Sequence, residues 1–142
     1  RAQGGVAILA HPVRRRAWEK VEPGWFDMLS GIELWNRKSD GISWGPEALE
    51  LLRKTGLPAY VGHDFHRHRQ LWPLYQSFDI PDQPNTAGAA ETLLVKAITC
   101  GESTPCAFGQ SLDVARAHPG FPINPYLERT RRWISRLART LW

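Results

Sequence analysis

GGVAILAHP (residues 4–12) reads as a strand that delivers a histidine. Val6–Ala10 is an unbroken apolar run, bounded by Gly4-Gly5 before it and His11-Pro12 after it. A continuous run of this kind, rather than an alternating one, fits a strand buried on both faces of a parallel sheet. Outward from it, Gly31–Trp35 (GIELW) is a second short strand and Ala59–Gly62 (AYVG) a third. Residues 15–29 hold one helix, interrupted near Pro23-Gly24. Pro46–Thr55 (PEALELLRKT) is a helix: Pro46 suits the first turn, Leu49 and Leu52 with the Ala48/Leu51 flank form an apolar stripe, and Gly56 follows as the C-cap. Strands alternating with helices predict βα units and a parallel sheet.

Downstream, residues 71–90 contain Pro73, Pro81 and Pro84 and read as an irregular connection. Glu91–Cys100 (ETLLVKAITC) is a further helix ending at Gly101, and Pro119, Pro122 and Pro125 punctuate a linker before a final helix at about 126–141. In that helix Leu127, Ile134, Leu137 and Leu141 share one face, with Trp133 and Trp142 flanking it and Arg129, Arg132, Arg136 and Arg139 spread across the other. Its first reading is a terminal helix packed on the domain with a wet basic face. Docking on an anionic membrane or nucleic acid is the alternative.

Bulk properties narrow the class. Hydrophobic content of 42% with 23% charged residues is that of a globular protein rather than a disordered tail. No stretch approaches the ~18 apolar residues of a membrane span, and no secretory signal opens the chain. The net charge of +4 is carried by the tail, where five arginines after Glu128 meet no further acid. The rest is nearly neutral, so nucleic acid is not indicated as a partner. Cys100 and Cys106 lack CxxC spacing, which argues against a zinc knuckle or disulfide scaffold; they read as reduced thiols, and the compartment as cytoplasmic. Arg1 stands almost directly before an apolar strand, as in a chain that begins mid-domain. Oligomeric state has no signature here.

Polar groups follow all three strands: His11 after the first, Glu33 and Asn36 at the end of the second, Asp64 and His66 after the third. In parallel α/β folds ligands gather where the strands' carboxyl ends converge. Imidazole and carboxylate together suit divalent metals such as Zn, Mn or Fe. Plainer readings stand beside these: His11 as a hydrogen-bonded loop residue, Asn36 as a turn former. Asp64 and His66 are alternate positions of an extended segment, which project to one side. His68 falls in a basic run and His118 in the Pro-rich linker, and both read as surface residues.

AILAHP, GIELWN and VGHDFHR, in this order with a helix before the last, resemble motifs of the PHP family (polymerase and histidinol phosphatase domains). The likeness covers about residues 3–67, and more loosely the helix ending at Gly101. It implies that residues 1–117 are the C-terminal part of a distorted β/α barrel of about seven strands, with residues 118–142 a linker and basic helix. It implies two or three divalent metals, Mn, Zn or Fe, at the strand ends, and hydrolysis of a phosphate ester by a metal-bound hydroxide. Under it His11, Asp64 and His66 are metal ligands, with Asp64 and His66 in the catalytic centre. Glu33 and Asn36 support a metal-bound His or water. Independently of the likeness, the guanidinium groups of Arg67 and, more weakly, Arg14 suit a substrate phosphate, with solvated charge in a basic loop as the equal reading of Arg67. The substrate is a phosphorylated small molecule or nucleotide. Two departures are His63 where the family has Ser and Arg67 where it has Gly, and the family's opening HxH motif is absent. The chain alone is therefore expected to hold an incomplete site with little activity. A degenerate module with a binding or regulatory role, and C–N bond hydrolysis on a related scaffold, are the competing readings.

Overall fold

The computed structural model describes residues 3–41, 44–66, 73–80 and 84–112, together with Thr130 and Trp133. The first strand, β1, pairs only over Ile8–Leu9, shorter than the apolar run around it. Among the described residues it lies at the edge of its sheet with one neighbour, and Ile8 is 36% exposed. A 3-10 segment, Arg14–Lys20, and a short helix α1, Pro23–Phe26, replace the single helix expected over 15–29. The break at Pro23 is as expected, but Arg15 and Arg16 adopt positive φ and prevent a regular helix before it.

Strand β2, Gly31–Asn36, is central and buried at all six positions. It pairs in parallel with β1 on one side and with β3, Ala59–Gly62, on the other. Between them lie α2, Arg37–Asp40, and α3, Pro46–Thr55. The bounds of α3 match the sequence reading because each end has a local cause. Pro46 and Glu47 suit the first turn, and Gly56, at φ +68°, accepts the left-handed C-cap and donates its N–H to the Leu52 carbonyl. Ala48, Leu49, Leu51 and Leu52 are buried in one cluster with Ile32, Leu34 and Trp35 of β2.

The β2–β3 register slips between Glu33 and Trp35, leaving Leu34 as an extra residue. Such a bulge re-aims the side chains beyond it. Glu33 and Asn36 are three apart and would face opposite ways on a regular strand. With the bulge between them they meet on one side.

The expected barrel portion is not what the chain forms. After β3 the described residues build a second, antiparallel sheet from β4 (Leu74–Phe78), β5 (Ser103–Ala107) and β6 (Gln110–Ser111). The parallel series therefore ends at three strands, and no closed barrel exists among the described residues. The region read as an irregular connection contains β4. Pro73 precedes this strand rather than breaking it, and Leu74, Gln76 and Phe78 alternate inward, with the polar Gln76 masking the apolar alternation. Its amide donates to the Ala59 carbonyl (3.2 Å) and to Ser103 Oγ (2.8 Å), joining the two sheets. A two-residue turn at Phe108-Gly109, both with positive φ, connects β5 to β6 as hairpin turns of the primed types require. Helix α4, Ala87–Cys100, starts earlier than expected because the Thr86 side chain caps it through Ala89 N–H. Leu74, Ala107 and Leu112 enter the same core as β2 and α3.

Among the described residues no helix is long and apolar enough to cross a membrane. The expected basic helix at 126–141 lies outside the described residues apart from Thr130 and Trp133, both helical.

Leu52→Ala removes a core side chain and is expected to cost about 2–5 kcal/mol. Ile8→Ala, on the uncovered edge, is expected to cost only ~0.5 kcal/mol. Urea unfolding of the two variants measures both.

Candidate functional site

The carboxyl ends of β1, β2 and β3 meet at one rim, and Glu33 stands at its centre. Glu33 is 8% exposed. It accepts the backbone N–H of His11 through Oε2, and the Asn36 side-chain amide through both oxygens at 3.0 and 3.1 Å. A Cβ on Gly62 would collide with Glu33 Oε1, so a side chain there would force the carboxylate to move. Burial raises the Glu33 pKa above 4.5, and the hydrogen bonds from His11 and Asn36 offset part of that.

Asn36 does two jobs. Its Oδ1 accepts from Lys38 N–H (3.1 Å) and Ser39 N–H (3.0 Å), capping α2, while its amide holds Glu33. Asp40 returns a carboxylate to Asn36 N–H at 2.7 Å, and Trp35 Nε1–H donates to the Gly41 carbonyl at 3.1 Å. This closed turn carries Lys38 to the rim. The turn-forming reading of Asn36 agrees with these capping bonds, and its amide holds the Glu33 carboxylate. Glu33 supports His11 through the backbone and not through its ring.

Around Asp64 the charges are dense. Lys38 Nζ lies 2.8 Å from Oδ2, Arg14 3.9 Å from the same oxygen, and His66 Nε2 2.8 Å from Oδ1. The Lys38 contact, with help from His66, holds the Asp64 pKa below its ordinary 3.8. His66 is on the solvent side, with 61% of its side chain exposed. Both His11 (φ +34°) and Asp64 (φ +50°) occupy positive φ, a conformation that non-glycine residues keep only where the surroundings enforce it.

The structure therefore brings Asp64, His66 and Arg14 together, and places His11, Glu33 and Asn36 together beside them. It does not gather His11, Asp64 and His66 into one cage: among the described residues no three His, Cys, Asp or Glu side chains form a metal-sized group. His11 Nδ1 is buried with no hydrogen-bond partner among the described residues, and the Asp64 carboxyl, after β3, is held below its ordinary pKa by Lys38. Arg67 lies outside the described residues. Sequence reasoning missed Lys38 and Gly62. The cue for Lys38 was Asn36 as a helix cap, because the capping bonds to the N–H groups of residues 38 and 39 fix the first turn of α2 and so the place of Lys38.

Gly62→Ala is expected to displace Glu33 and cost about 1–3 kcal/mol in urea unfolding. Combined with Glu33→Ala the loss should be clearly less than additive. Lys38→Met is expected to raise the Asp64 midpoint in carboxyl NMR titrations. Because the folded pKa lies below 3.8, the Asp64 pairs stabilise the fold above pH 3.8, and that contribution disappears as pH falls through the folded value. Glu33 has the opposite sign: its ionisation costs stability as pH rises past 4.5.

No protein-family model, curated protein or solved structure matches the chain.

Proposed function

We propose that this rim is part of a metal-dependent phosphoesterase centre of the kind the PHP-like motifs imply. The observation that supports the reading is a buried, partnerless His11 Nδ1 after β1 and an Asp64–His66 pair after β3, at the carboxyl ends of strands in one parallel sheet. His11, Asp64 and His66 would hold one divalent ion, Mn, Zn or Fe; any further ion of a two- or three-metal centre would need donors beyond these three. A bound ion would acidify a water and neutralise phosphoryl oxygens of a phosphate ester. Glu33 fixes the His11 backbone, and Asn36 fixes Glu33 and the start of α2. Arg14, with a side chain 44% exposed 3.9 Å from Asp64, would meet an anionic substrate such as a phosphorylated small molecule or nucleotide. Lys38 is the counterpoint. Its ammonium occupies Asp64 Oδ2 and competes with any metal there. That contact favours a second reading, a non-catalytic binding or regulatory module in which Lys38 stands where a cation would.

The test is calorimetric titration with Mn or Zn, with hydrolysis of a generic aryl phosphate measured on the full-length protein. The metal reading expects micromolar uptake, loss of uptake and hydrolysis in Asp64→Asn and His11→Ala, and roughly tenfold tighter uptake in Lys38→Met. Uptake and activity unchanged in Asp64→Asn and His11→Ala would contradict the assignment. No uptake in any form would leave the binding-module reading.

A further inference from the structure

Away from the rim, near the amino ends of β2 and β3, a groove of about 630 Å³ separates the 14–29 segment from α3. That volume falls within the ~300–1,000 Å³ of natural ligand clefts. Its floor is apolar, from Trp18, Phe26, Leu29, Leu51 and Leu57. Its rim is acidic: Glu19, Asp27, Glu47 and Glu50 face it, against Lys54 alone, with Arg16 pairing Glu19 from outside the lining. An apolar floor under an acidic rim selects an amphipathic segment with a basic face.

The chain carries one. Residues 127–142 place Leu127, Ile134, Leu137 and Leu141 on one predicted helical face, and five arginines between Arg129 and Arg139 supply the opposite charge. Trp133 at its middle is 62% exposed, an aromatic surface without cover. The fourteen residues from 113 to 126 reach up to ~45 Å when extended, more than the roughly 30 Å across a domain of this size. We propose that the basic C-terminal segment docks within the same chain into the acid-rimmed groove between residues 14–29 and α3. Its apolar face covers Trp18, Phe26 and Leu51, and its arginines meet Glu47 and Glu50. The whole net positive charge of the chain is then placed over its acidic groove.

The experiment is limited chymotrypsin digestion of the intact chain, with mass spectrometry monitoring cleavage after Trp133. Docking protects that bond. The surface reversal Glu47→Lys/Glu50→Lys is expected to speed cleavage roughly fivefold, the scale of two rim ion pairs. Arg132→Glu/Arg136→Glu should do the same, and the four changes combined should restore protection. Circular dichroism confirms that each variant is folded. Equal cleavage rates in the wild type and both reversals, failure of the combined variant to restore protection, or protection that rises with protein concentration would each overturn the proposal. The last would place the segment in a second copy instead.

Discussion

Everything at the rim hangs on one buried carboxylate. Glu33 leaves water at the end of the central strand, and desolvation alone would drive it to hold its proton. It stays because two donors meet it, the His11 backbone N–H and the Asn36 amide, and because Gly62 supplies space where any side chain would collide. Those three contacts come from the ends of three different strands. The carboxylate therefore works as a bracket: it sets the path of the chain leaving β1, the start of α2 after β2, and the close approach of β3.

The bracket explains why polar groups concentrate here although the surrounding core is apolar. Ile32, Leu34 and Trp35 pack the interior, and the bulge at Leu34 turns Glu33 and Asn36 to one side so that neither is stranded. Asn36 then passes order to α2, and α2 delivers Lys38 to Asp64. A second set of charges is thereby held against the first without a shared side chain. The positive φ at His11 and Asp64 fits this arrangement, since Glu33 of β2 holds the His11 N–H and Lys38 of α2 holds the Asp64 carboxylate.

Much of this was legible in the amino-acid order, and the remainder has physical reasons for being hidden. The parallel strands and α3 announced themselves through apolar runs and through Pro46 and Gly56. Strand ends also pointed to His11, Glu33, Asn36, Asp64 and His66. The bulge was invisible, because a slip in pairing leaves no mark on one strand's composition. So was β4, where Gln76 occupies an inward position and only its side-chain NH2 finds partners, on β3 and β5. The barrel expectation extended a local βα rhythm beyond β3, whereas the chain turns there to antiparallel pairing with its own later strands. Local pattern does not encode which edge a strand will choose.

The most direct test of the bracket is the backbone amide of His11, monitored by NMR across acid pH. If Glu33 holds it, that amide should be strongly deshielded, exchange slowly, and shift with a midpoint above 4.5, in step with the Glu33 carboxyl. A His11 amide that exchanges as fast as an open loop and does not track Glu33 would contradict the account.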